Sequence, residues 1–195
     1  MTMMNVRLAA RAILLGVIGL AGCSSGPEPI LYTLDPPSSA VRATRDGPRV
    51  SLPSVDLPAY ARSNLIASAD GPNRIVVDDD HRWASPPSES VTLALAWHLE
   101  SALDATVLVQ PHPRGFDAEL VITVTFDRFL RSGSGAAELS GRAVIASGSA
   151  PDVMRFSITA PAEGGDYSDF MTSVDRALAE IAARVAKRVK AMPPP

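Results

Sequence analysis

Leu120-Val121-Ile122-Thr123-Val124-Thr125-Phe126-Asp127 is the stretch whose reading decides the fold. Leu120, Ile122, Val124 and Phe126 alternate with Val121, Thr123, Thr125 and Asp127. Successive side chains of a strand point to opposite faces, so the pattern predicts a strand with one face in a core. Downstream, Ser132-Gly133-Ser134-Gly135 turns the chain into Ala136–Ala146, where Leu139, Ala143 and Ile145 share a face. Gly148-Ser149-Ala150-Pro151 turns it again into Val153–Thr159, with Met154, Phe156 and Ile158 inward. Three such strands in sequence predict an antiparallel meander.

Beyond the meander, Phe170, Val174, Leu178, Ile181, Val185 and Val189 recur at spacings of three and four, one apolar stripe along a helix. Arg184, Lys187, Arg188 and Lys190 gather at its C-terminal end, where cations complement the helix dipole, and Met192-Pro193-Pro194-Pro195 ends it as a disordered tail. Before the meander, Val91, Leu95, Leu99 and Leu103 mark a second amphipathic helix. It starts near Ser85 or Ser88, since Pro86 and Pro87 fit only a first turn. Thr106–Val109 is a short strand.

Nearer the N-terminus, Ile30–Leu34 and Arg49–Leu57 read as strands, the second an edge or bulged one because of its prolines. Asn64–Ala69 and Arg74–Val77 flank Asp70-Gly71-Pro72-Asn73, a run of turn formers, and predict a hairpin. Two helices and some seven strands, each with one apolar face, give an α/β single domain: a mixed, largely antiparallel sheet with two main amphipathic helices packed on it.

The first residues have a different character. Arg7 and Arg11 precede Ala12-Ile13-Leu14-Leu15-Gly16-Val17-Ile18-Gly19-Leu20, and no acid occurs before Cys23. That apolar run suits a signal peptide and is short of the ~20 residues a spanning helix needs. Leu20-Ala21-Gly22-Cys23 then resembles a bacterial lipobox, in which small residues admit a peptidase and the thiol takes the diacylglycerol. Residues 1–22 are therefore expected to be a signal peptide, with Cys23 the lipidated N-terminus carrying fatty-acyl chains such as palmitate. Residues 23–29 form the tether and residues 30–191 the domain. Cys23 is the only cysteine, so no disulfide can form within the chain. Ser24, where retained inner-membrane lipoproteins often carry aspartate, favours the periplasmic face of the outer membrane.

Two of the 18 basic residues, Arg7 and Arg11, leave with the leader, so 16 face 21 acids and the mature chain has a net charge of −5. This balance argues against nucleic acid or an anionic lipid surface as the main partner. Residues 30–191 lack a Gly-x-Ser-x-Gly elbow, a phosphate loop and a paired-histidine metal motif. No enzyme activity, cofactor or metal is expected. Asp78-Asp79-Asp80-His81 offers ligand atoms, but consecutive residues of an extended chain point to alternate sides, and a solvated turn is expected there. His98 and His112 have no partner at metal-motif spacing.

Several segments are familiar as a set. Leu31-Tyr32-Thr33-Leu34 follows soon after Cys23, and Val50-Ser51-Leu52-Pro53 leads into Leu57-Pro58-Ala59-Tyr60-Ala61-Arg62. Asp79-Asp80-His81-Arg82-Trp83-Ala84-Ser85-Pro86 precedes the first helix. Together they resemble the ABC-type transport auxiliary lipoproteins, the PqiC-like family, over roughly residues 30–190. Ser63-Asn64 departs from it where a proline-containing turn is common, and Arg142 where an aromatic is common.

The resemblance implies a non-catalytic partner of an ABC permease, its ATPase and an MCE-domain protein that conducts lipid across the periplasm, placed singly or as a ring of copies at the outer-membrane end. Tyr60, Arg82 and Trp83 are candidate partner contacts, since aromatic side chains and arginine are common at interfaces. Trp83, and Trp97 with it, also suit packing between the first helix and the sheet. Two other functions remain open. One is a periplasmic lipid binder with a deep apolar pocket; the other is a structural or assembly lipoprotein on peptidoglycan or outer-membrane proteins.

Overall fold

The computed structural model describes residues 28–34, 47–148 and 150–192. The leader, Cys23, most of the tether and Pro193–Pro195 lie outside the described residues.

The meander forms the largest part of the sheet. Strands β6 (Leu120–Arg131), β7 (Ala137–Ala146) and β8 (Asp152–Ala160) pair antiparallel in sequence order. The inward set Leu120, Ile122, Val124, Phe126, Leu139, Ala143, Ile145, Met154, Phe156 and Ile158 is buried as the alternation requires. β6 runs four residues past the expected Asp127, because a bulge between Phe126 and Arg128 resets the alternation and brings Phe129 inward.

The other edge of β6 is shared. Near Leu120 it pairs parallel with β2 (Arg49–Leu52), which continues parallel to β5 (Thr106–Val109). Near Arg131 it meets β3 (Leu65–Ala69), which pairs antiparallel with β4 (Ile75–Trp83). The edge strand β1 (Ile30–Tyr32) lies parallel to the end of β4. The eight-stranded sheet is therefore mixed, and its long ladders are the antiparallel ones.

β4 is longer than the sequence pattern predicts. Its register slips between Leu65, opposite Arg82, and Ile66, opposite Asp78, so Asp79-Asp80-His81 bulges out of a continuous strand. The solvated turn expected for the acidic run is thus corrected to a strand bulge. Within the bulge Asp80 N–H donates to Asp78 Oδ1 at 2.9 Å.

Both helices lie on one face of the sheet and pack on each other. Helix α1 (Pro87–Leu103) buries Val91, Leu95, Leu99 and Leu103. Helix α2 (Tyr167–Ala191) buries Phe170, Val174, Leu178, Ile181 and Val185, each contributing about 1.5–3 kcal/mol. A capping box starts it: Asp169 N–H donates to Asp166 Oδ1 at 2.7 Å, and Asp169 Oδ2 accepts from the Asp166 amide. Among the described residues the opposite face of the meander carries no helix; Thr123, Asp127, Arg142, Val153, Arg155 and Ser157 are exposed there.

Candidate functional site

Two surface regions and one polar junction gather the chemically active side chains. The junction lies where β1, β4 and the start of α2 meet. Tyr32 Oη is 2.9 Å from His81 Nδ1, and the His81 ring stacks on Tyr167 with centroids 4.0 Å apart. Tyr167 donates to Asp78 Oδ2 at 2.7 Å. The Arg131 guanidinium lies over the same ring, 4.8 Å from its centroid, and donates to the Gly165 carbonyl.

Charge follows from this geometry. Partial desolvation, then the hydrogen bond to Asp78 and its charge, push the Tyr167 phenol up to about 12, with Arg131 opposing. Desolvation also raises the Asp78 carboxyl. The bonds from Tyr167 and the Asp80 amide, with smaller contributions from His81, outweigh that and leave it below its ordinary value. Desolvation, then Asp166 and Asp78, raise the Tyr32 phenol. Tyr32, His81, Asp78 and Tyr167 each engage a neighbour, which makes the junction a fastening between elements, while the Arg131 Nε beside them is buried without a hydrogen-bond partner. Among the described residues no three His, Cys, Asp or Glu side chains are placed to hold a metal ion.

The three candidate partner residues are placed differently from one another. Trp83 is 3% exposed and packs on Phe129, ring centroids 6.2 Å apart, behind the β4 edge. Tyr60 is half-buried in the turn Ala59–Ala61, its oxygen accepting from the Phe129 amide at 3.2 Å. Arg82, half-buried, points to the side of β4 away from Trp83 and donates from Nε to the Asp79 carbonyl at 2.9 Å. Tyr60 and Trp83 both reach Phe129, whereas Arg82 stands apart from them.

The helix-free sheet face holds a feature the residue patterns did not reveal. Arg142 and Arg155 are direct cross-strand partners on β7 and β8, both exposed. No acid among the described residues pairs with either, whereas Arg128 nearby is matched by Glu138 at 2.6 Å. Like charges directly opposite are destabilising, so the pair has a cost that folding alone does not explain. The sequence held one clue: both arginines lie equally far from the centre of the Gly148-Ser149 turn. Val144 and Val153, the next outward pair, set an apolar strip beside them.

Cavities are modest. A depression of about 570 Å³, open to solvent, is bordered by Ser54, Gln110, Pro111 and His112. A second space of about 10 Å³, between Trp83, Phe129, Leu130 and Phe170, is at the limit for one water and admits no acyl chain. Among the described residues no helix is long and apolar enough to cross a membrane.

Among curated proteins the sequence has no match. The fold is similar to a crystal structure of an uncharacterized protein, with a TM-score of 0.70 at 20% identity, covering 84% of this chain and 99% of that one. It is also similar to the crystal structure of a Xanthomonas campestris protein, with a TM-score of 0.61 at 13% identity, covering 80% and 92%. At these identities the likeness establishes the fold alone. The sequence itself matches one family across most of the domain, residues 32–186, and the chain belongs to that family, the ABC-type transport auxiliary lipoprotein component.

Proposed function

We propose that the chain is the outer-membrane lipoprotein subunit of an MCE-type ABC system that moves lipid between membranes. It is held by acyl chains on Cys23 at the periplasmic face and docks the MCE-domain protein there, singly or as a ring of copies, in support of envelope integrity. The observation that carries this reading is the family match over residues 32–186. The geometry is consistent with a binding role. Tyr32, His81, Asp78 and Tyr167 engage one another within the domain, and among the described residues a broad sheet face stands open.

On that face the unpaired guanidiniums of Arg142 and Arg155 suit carboxylates of a protein partner, which arginine meets in a bidentate fork. Arg82, on β4 and turned away from the buried Trp83, is the second candidate contact. Tyr60 and Trp83 instead engage Phe129. The test is crosslinking of the lipidated protein in its native envelope, with neighbours identified by mass spectrometry. Crosslinks from the Arg142 face or from Arg82 to an MCE-domain protein are the expected result. Crosslinks only to peptidoglycan-linked or barrel-assembly proteins would reject the transport role.

A further inference from the structure

We infer that the far end of the β3–β4 hairpin, Ile75-Val76-Val77, is a second and protein-borne contact with the bilayer that holds Cys23; the inference rests on the lipid-anchor reading above. Seven large hydrophobic side chains are exposed among the described residues, and five of them are Ile30, Leu31, Ile75, Val76 and Val77. They are confined to β1 and the start of β4. Three consecutive strand residues exposed at 39%, 43% and 48% mean that both faces of this arm stand clear of the body. Among the described residues its outer edge is also open, because β3 covers one side and β1 pairs only with His81–Trp83.

The tether specifies what covers this arm. β1 runs parallel to the end of β4, so Ile30 is the end of β1 nearer the Asp70–Arg74 turn. Cys23 lies seven positions before Ile30, a reach of up to ~25 Å, and the six positions from His81 back to Ile75 span roughly 20 Å. The anchor and the apolar arm therefore reach the same bilayer surface.

The chemistry fits a shallow contact. At the tip the Asp70 carboxylate pairs with the Arg74 guanidinium, so no net charge precedes the apolar run. Asp78-Asp79-Asp80 follows it and limits entry to the headgroup boundary, where an unpaired strand edge stays hydrated. A net charge of −5 gives no attraction to anionic lipid, so the contact is apolar and does not require charged headgroups.

The experiment uses the acylated protein in phosphatidylcholine vesicles. Cys23 spends its sulfur in the thioether, so Val76→Cys introduces the single free thiol, to be labelled with an environment-sensitive nitrobenzoxadiazole dye. The expected result is emission shifted to the blue and quenched by spin-labelled lipid. The same dye at Val153→Cys, equally exposed but five strands from β1, stays in water. A protein that floats with the vesicles while the dye at 76 stays wet rejects the hairpin contact and leaves the anchor standing. A blue shift at 76 that appears without lipid and grows with protein concentration rejects it in favour of a second copy. Failure to float rejects the anchor, and this inference with it.

Discussion

Tyr167 donates to Asp78 Oδ2 at 2.7 Å while its ring stacks on His81, so the first turn of α2 is fastened to the bulged segment of β4. These residues lie 86 to 89 positions apart in the chain, and the contact closes the sheet edge nearest the tether onto the helix layer.

That fastening predicts a pH dependence. The Tyr167 phenol is raised to about 12 from an ordinary value of 10.0. A raised value favours the protonated folded form, so its contribution is complete below pH 10 and is lost as pH climbs through about 12. Asp78 has the opposite sign: its carboxyl is lowered, so its contribution is present above the ordinary carboxylate range and lost as pH falls through the folded value. Tyr167→Phe should cost about 1 kcal/mol at neutral pH through the lost hydrogen bond and blunt the alkaline loss. Melts of the mature domain from pH 7 to 12 that superimpose for wild type and variant would refute this.

A second long-range pair joins the helices. His98 Nε2 lies 2.7 Å from Asp175 Oδ1, the His98 side chain 12% exposed and Asp175 38%. Removing either partner should cost roughly 0.5–1.5 kcal/mol, the net worth of one hydrogen bond. The double variant His98→Ala with Asp175→Ala should cost less than the sum of the singles. Strict additivity in urea unfolding would mean that the two side chains do not act as a pair.

What the sequence revealed and what it hid divide along physical lines. Period-two alternation over Leu120–Phe126 and the stripe from Phe170 to Val185 mark burial directly, because each residue's exposure is fixed by its own element. The full lengths of β4 and β6 were hidden, since a bulge changes which face the next residue occupies and leaves no composition signal at Asp79–His81 or Asp127. The junction of Tyr32, His81, Asp78 and Tyr167 was hidden for another reason. It depends on β1 pairing with β4 across the intervening β2 and β3, which no local pattern encodes. Trp83 and Tyr60 stood out as aromatics, but only the packing shows that both converge on Phe129.

Gly141 gives a sharper test of the bulge. It sits opposite Phe126 on β7, where a Cβ would fall 2.0 Å from the Thr125 carbonyl oxygen and 3.0 Å from Phe126 Cα. Both obstacles are backbone, so no rotamer change relieves the clash. Gly141→Ala should therefore destabilise the domain by roughly 1–3 kcal/mol, as overpacking does. A variant melting within a degree of wild type would show that β6 shifts freely here.

The arginine pair separates stability from function. Arg142 and Arg155 face each other without an acid, and opposite charges in such a pair are worth about 0.2–1 kcal/mol where like charges repel. Arg155→Glu should thus raise the melting temperature slightly, because the new carboxylate pairs with Arg142. The same change should weaken capture of the proposed MCE-domain partner, since it removes one guanidinium and places a carboxylate where that partner's carboxylates would bind. Arg155→Lys keeps the charge and should retain part of the capture, less than wild type because an ammonium lacks the bidentate fork. The informative readout is the two quantities together, melting temperature of the purified domain and partner recovered from the envelope. A more stable Arg155→Glu protein that captures its partner as well as wild type would show that this sheet face is not the docking face. Arg82 would then be the remaining candidate.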